Sequence, residues 1–271
     1  MDIVEVAGEE LDPREAAVYQ RALDALSRAG VPSLVGGAYA FASYTGIVRH
    51  TKDFDLFLRR RDVDTALRVL EGAGARGERT FPHWLAKAHF DDGLFVDLIH
   101  SSGNGVATVD ELWFRHAAQA EVLGRSVRLC PAEEILWSKA FVQERERYDG
   151  ADVMHLLHAR AEHLDWERLV RRFGEHWRVL LSHLVLFGFV YPSERARIPA
   201  TVMEGLLRRL ERESRAMAPG ERLCRGTLLS RLQYLPDLRR ERYRDARTLS
   251  AADLAPWSAA GEREEAERRE G

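Results

Sequence analysis

The stretch "TKDFDLFLRRRDVD", Thr51 to Asp64, contains Asp-x-Asp twice, as Asp53-Phe54-Asp55 and as Asp62-Val63-Asp64. Asp62 and Asp64 follow three arginines and precede an amphipathic run. They are expected at a helix start, where carboxylates cap free N–H groups and meet the favourable end of the helix dipole. Asp53 and Asp55 lie in "DFDLFL", which alternates charged and apolar residues before turning wholly apolar. That is the pattern of a strand with one end of one face in water. Residues i and i+2 of a strand project from the same face, so two carboxylates stand side by side with Phe54 and Leu56 on the other face. Like charges so close repel unless a cation lies between them, and magnesium favours hard oxygen ligands shared with phosphate.

Upstream, "VPSLVGG" reads as a short apolar strand ending in Gly36-Gly37, followed by a helix over "AYAFASYTG" that closes at Gly46. Glycines at a strand-to-helix junction let a phosphate approach the backbone where helix N–H groups point at it; a plain turn is the other reading. The first helix is signalled by Asp12 as cap, Pro13 in the first turn and Gly30 as stop. Downstream, a helix is expected from about Val63 to Ala73. Then "HWLAKAHF" and "LFVDLIHS" flank the turn Asp91-Asp92-Gly93 as two strands. Asp97 interrupts the second strand, and an ionised carboxylate among Val96, Leu98 and Ile99 needs a partner such as a cation, unless it faces water at a sheet edge.

Beyond Pro131 the pattern is helical through "PAEEILWSKAFVQERERYDGADVMHLLHAR", "DWERLVRRFGEHWRVLLSHLVLFGF" and "ATVMEGLLRRLERES". The expected fold class is α+β: a mixed β-sheet with flanking helices over residues 1–130, an all-helical domain over 131–249, and a polar, solvated or disordered tail over 250–271. The apolar run "VLLSHLVLFGFVY", Val179 to Tyr191, is shorter than the roughly 20 residues that cross a bilayer and reads as a buried helix, with no membrane partner. Two cysteines, Cys130 and Cys224, and no charged leader before an apolar run make the cytoplasm the expected compartment. A net charge of -3 argues against a generally basic nucleic-acid binder while leaving room for a local cationic patch. The arginine-rich "LRRERYRDAR" reads as a solvated helix face or as an RNA-backbone contact.

Lysine occurs only at Lys52, Lys87 and Lys139; every other one of the 40 basic residues is arginine. Lysine persists in such a chain by accident, or where a compact, flexible ammonium is wanted and a planar fork does not fit. All three fall near the acidic motifs in sequence order. Other constellations are weaker. His155, His158 and His163 have no cysteine or nearby carboxylate to complete a tetrahedral metal set, and no Gly-x-Ser-x-Gly or Cys/His nucleophile arrangement occurs.

Gly36-Gly37, then "RHTKDFDLF" from Arg49 to Phe57, then an aspartate on a later strand, resembles the DNA polymerase β-type nucleotidyltransferase superfamily. "PAEEILWSKAFVQERERYDGADVMHLL" is similar to a block of the AbiEii-like nucleotidyltransferases, with Lys139, Arg145, Asp149 and Asp152 in its ordered places. Tyr148 stands before Asp149 where many relatives carry a basic residue.

The resemblance implies a nucleotidyltransferase palm followed by helices. It implies transfer of a nucleoside monophosphate from an NTP such as ATP to an acceptor hydroxyl, releasing pyrophosphate. Asp53, Asp55 and Asp97 would hold two magnesium ions, or manganese, with Asp97 also helping to remove the acceptor proton. Gly36, Gly37, Thr51, Lys52 and Lys87 would lie along the nucleotide, and Lys139 would neutralise charge on the leaving pyrophosphate. Asp149 and Asp152 would share a helix face on the nucleotide side and orient Lys139 or accept from the acceptor, or would only pair with Arg145. The acceptor would be tRNA, for a toxin with a cognate antitoxin, or a small hydroxylated antibiotic. A noncatalytic relative using its cleft for nucleotide binding or protein docking has the same fold.

Overall fold

The computed structural model describes residues 12–49, 51, 53–216, 220 and 222–248. The polar tail expected over 250–271 and the nucleotide contact expected at Lys52 lie outside the described residues. The chain divides into two compact units, Met1–Ser138 and Lys139–Gly271.

In the first unit, the Asp12 carboxylate accepts from the Arg14 N–H at 2.9 Å, and α1 runs Pro13–Arg28 with Pro13 in its first turn. The strand β1 is only Leu34–Val35, because the chain turns at the double glycine into α2, Gly37–Thr45, which ends at a left-handed Gly46. Next come β2, Phe54–Phe57, and α3, Val63–Gly72. The hairpin of β3, Arg76–Phe81, and β4, Leu85–His89, is followed by β5, Phe95–Ile99. A short α4, Glu111–Arg115, precedes the hairpin β6, Ala118–Val122, and β7, Arg125–Leu129, and α5 spans Ala132–Ala140.

The strands form one mixed sheet in the order β3-β4-β5-β2-β1-β7-β6. β2 runs parallel to β5, and β1 to β7; the other neighbours are antiparallel. Strand alternation sorts the central residues onto two faces. On one face Phe54, Leu56, Val96, Leu98 and Ala88 are fully buried, and Tyr19 of α1 stacks on Phe54 at 4.7 Å between ring centroids. Each large apolar side chain so buried contributes about 1.5–3 kcal/mol, an upper estimate because the unfolded chain already hides part of it. The other face carries Asp55, Phe57, Asp97 and Lys87, with Phe57 stacked on the buried Trp113 of α4 at 5.3 Å.

Asp62 stands at the N-cap of α3 and Asp64 in its first turn, at the helix start as expected, but the capping bond is not made. Asp62 precedes α3 without a capping hydrogen bond and instead accepts from Arg59 Nε at 2.7 Å, while Asp64 pairs with Arg79. Guanidinium partners within reach give these carboxylates charge-assisted hydrogen bonds in place of the free helix N–H groups.

The second unit is mainly helical, with α6, Gly150–Arg160, α7, Trp166–Phe173, α8, Trp177–Val190, α9, Ala200–Arg215, and α10, Arg231–Arg240. A two-stranded parallel ladder of β8, Leu223–Cys224, and β9, Arg244–Asp245, is added to it. The helix expected to be buried, α8, buries only one side: Leu180, Leu184 and Phe187 are inside, whereas Phe189 is 82% exposed. Among the described residues no helix is long and apolar enough to cross a membrane.

Candidate active site

The site is built on the ladder between β2 and β5. Asp55 and Asp97 are direct Cα partners in it. Side chains of directly opposite residues leave the same face, so the two carboxylates stand abreast on neighbouring strands. Asp53 lies just before β2 and is exposed, its peptide N–H donating to Thr51 Oγ1 at 3.2 Å. Thr51 Oγ1 in turn donates to the Asp53 carbonyl at 3.3 Å, so Thr51 shapes the approach to the strand.

The double glycine lies against the same ladder. The Gly36 N–H donates to the Asp55 carbonyl at 2.9 Å, which fastens the β1-to-α2 turn beside that aspartate. Gly37 has φ +52°, and a Cβ built there would overlap Asp55 Oδ2; a Cβ at Gly36 would overlap the Phe57 ring. Only glycine combines this left-handed backbone with so close an approach to a carboxylate.

Asp97 is buried, 9% exposed, and its Oδ1 lies 2.6 Å from the Lys87 ammonium of β4, its direct partner on the other side. Burial pushes the Asp97 carboxyl above its ordinary range despite the pull of Lys87, and the nearby negative charge of Asp53 adds to the rise. The same acidic group is felt beneath the sheet. Burial, then Glu15, Asp53, Asp55 and Asp97, push the Tyr19 hydroxyl up to about 12. The Cys130 thiol is raised by burial and then by Asp55, which makes it an inert apolar neighbour of Gly36 rather than a nucleophile.

Lys87, expected along the nucleotide, is thus seated on Asp97. The donor set is of hard carboxylate oxygens, and a cation, the lysine's own, already stands on one of them. This chemistry fits a divalent ion shared by Asp55 and Asp97, with Asp53 adjacent. Among the described residues no group of three or more His, Cys, Asp or Glu side chains is gathered in a position to hold a metal ion.

The other expected residues belong to the second unit. Lys139 Nζ lies 2.9 Å from Asp149 Oδ2 and 2.8 Å from Asp152 Oδ2, so one ammonium joins both carboxylates of the Asp-x-x-Asp pair. Asp149 is also paired with Arg147; Arg145 pairs with Glu146 instead. Burial pushes the Asp149 carboxyl up, but Arg147 and Lys139 outweigh it and hold it below the ordinary carboxylate range.

Residues 15–187, more than half of the chain, match the model of a family described as uncharacterised nucleotidyltransferases. The chain belongs to this family; it is a nucleotidyltransferase. No curated protein matches the chain. Among solved structures, the nucleotidyltransferase is similar to the antibiotic-resistance factor ANT(2'')-Ia in solution, at 18% identity and a TM-score of 0.46 over 64% of this chain and 98% of that one. It is also similar to an antigenic nucleotidyltransferase-like protein from Paracoccidioides brasiliensis, at 17% identity and 0.44 over 69% and 93%. A third is the lincosamide antibiotic adenylyltransferase LnuA with lincomycin bound, at 16% identity and 0.39 over 54% and 96%.

Proposed function

We propose that this nucleotidyltransferase moves a nucleoside monophosphate from an NTP to an acceptor hydroxyl in a magnesium-dependent reaction, with manganese as a substitute. The observation that supports this reading is the placement of Asp55 and Asp97 as direct partners on one face, beside a glycine on which the Asp55 carboxylate closely packs. A noncatalytic docking surface has no use for abutting carboxylates on a half-buried face.

Asp55 and Asp97, with Asp53, would hold the divalent cations, which would supply charge stabilisation to an in-line displacement. Gly36 and Gly37 admit the triphosphate against the first turn of α2, whose N–H groups favour an anion. The acceptor oxygen forms a bond to the α-phosphorus while the bond from that phosphorus to the bridging oxygen of the β-phosphate breaks. Asp97 takes the acceptor proton and pyrophosphate leaves. By the resemblance, Lys139, held by Asp149 and Asp152, would supply positive charge to the departing pyrophosphate; Thr51 fixes the entry to β2.

The acceptor of this reading is tRNA, as for an AbiEii-like cytoplasmic toxin restrained by an antitoxin. Its support is the resemblance at Lys139, Asp149 and Asp152, joined as a single ionic group in the second unit. The test incubates the protein and magnesium with each α-labelled NTP and with tRNA, protein or hydroxylated antibiotics, followed by separation of the pools. Label on tRNA from the wild type, lost in Asp55→Ala and Asp97→Ala, supports the reading. Label on an antibiotic replaces the acceptor, and equal transfer by all three proteins overturns the site.

A further inference from the structure

Lys87 stands at the middle of a row of charged residues running across the sheet. Its Cα partner on β5 is Asp97, and its Cα partner on β3 is Glu78. The three side chains therefore leave the same face, with the lysine between two carboxylates. Lys87 Nζ is 2.6 Å from Asp97 Oδ1 and 3.9 Å from the centroid of the Phe95 ring, and the side chain is 21% exposed. Glu78 is occupied elsewhere, its Oε2 lying 2.9 Å from His89 Nε2. Opposite Cβ atoms in a sheet are about 4.5–5.5 Å apart, so the four-carbon lysine stem spans to either neighbour with a change of rotamer.

We propose that Lys87 is a positioning residue that competes with the divalent cation for Asp97. Its ammonium neutralises Asp97 before the metal enters and shifts to Glu78 when the metal takes that carboxylate. The inference rests on the reading of Asp55 and Asp97 as metal ligands. A buried carboxylate without a partner is costly, and an ammonium and a divalent ion crowded onto one carboxylate repel each other. An exchange avoids both situations: Asp97 always has a cation, and the displaced lysine finds Glu78 directly across the ladder. An arginine, whose guanidinium fork stays with the carboxylate it matches, would make this exchange less readily. The rarity of lysine in the chain and its presence at this position are then the same fact.

The exchange is tested by titrating manganese into nucleotide-free protein and following free manganese by electron paramagnetic resonance, with circular dichroism establishing that each variant is folded. Lys87→Gln removes the competitor and is expected to bind manganese about tenfold more tightly than the wild type, the scale of a close charge pair. Lys87→Arg keeps a cation on Asp97 and is expected to bind no more tightly than the wild type. Glu78→Gln removes the lysine's second partner and is expected to bind manganese more weakly. Wild-type affinity in Lys87→Gln, together with loss of binding in Asp55→Asn, overturns the competition and leaves the metal site standing. No binding by the wild type, Lys87→Gln and Asp55→Asn alike overturns both.

Discussion

Asp55 on β2 and Asp97 on β5 are opposite each other in a parallel ladder, although the chain passes through α3, β3 and β4 between them. Their equivalence ends at the side chains: Asp97 is buried and ion-paired to Lys87, whereas the half-buried Asp55 lays its carboxylate against Gly37. Asp55→Asn and Asp97→Asn are each expected to lower nucleotide transfer by about 100-fold or more, as when a transition state loses one electrostatic contact. Asp97→Asn also takes the resting partner of the Lys87 ammonium and forces it toward Glu78, so it is expected to lower the denaturation midpoint. Steady-state rates and urea unfolding of the two variants check both statements.

Gly37 and Gly46 bound the same helix, and both have positive φ, +52° and +72°. Alanine at either position costs about 1–2 kcal/mol for the left-handed backbone. A Cβ at Gly46 meets nothing, whereas one at Gly37 overlaps the Asp55 carboxylate. Gly46→Ala is therefore expected to lower Tm and keep activity, and Gly37→Ala to lower Tm further and lose most of the transfer. Thermal melts paired with the labelled-NTP assay separate the two.

Lys139 carries the charge balance of a trio in which Asp152 is buried and Lys139 and Asp149 are half-buried. Lys139→Met takes the shared ammonium from Asp149 and Asp152 while Arg147 still holds Asp149, a loss expected to cost about 1–3 kcal/mol. Adding Asp149→Asn and Asp152→Asn removes the excess negative charge, so the triple variant is expected to regain most of that stability. It is not expected to regain nucleotide transfer. Recovery of both would make the trio purely structural.

His176 in the second unit gives the stability a predictable pH dependence. Burial, and then the positive charge of Arg225, depress its pKa from 6.5 to about 4. The folded state keeps this ring neutral while the unfolded chain protonates it, so stability is unaffected above pH 6.5 and falls as the pH is lowered from 6.5 toward 4. At pH 5 the loss is about 2 kcal/mol, from a slope of roughly 1.4 kcal/mol per pH unit. His176→Phe is expected to abolish that part of the acid sensitivity in urea titrations at pH 7 and pH 5.

The core of the site was legible because its strands obey simple alternation. Phe54 and Leu56 had to point away from Asp55, and an aspartate flanked by Val96 and Leu98 had to sit on a comparable strand. What alternation could not show was which strand lies beside which, so the direct Asp55–Asp97 pairing and the seat of Lys87 came only with the sheet order. β3, β6 and β7 escaped sequence reading for a physical reason. "RGERTF", "AQAEV" and "RSVRL" are polar strands at or next to the two sheet edges, where charged side chains are favoured and the apolar signal is weak. With β3 unread, Glu78 could not be placed opposite Lys87. In the helical part, the order Lys139, Asp149, Asp152 signalled the trio. The arginine that joins it is Arg147 rather than Arg145, because the short loop between α5 and α6 folds back through an Asp149 N–H to Val142 carbonyl bond of 3.1 Å.

The central claim, that Asp55 and Asp97 together carry the divalent cation for nucleotide transfer, is tested most directly by anomalous diffraction from crystals grown with manganese and a non-hydrolysable NTP. A manganese peak contacting both carboxylates, with the triphosphate beside Gly36 and Gly37, is the expected result. A nucleotide bound with manganese elsewhere, and with Lys87 still seated on Asp97, would contradict it.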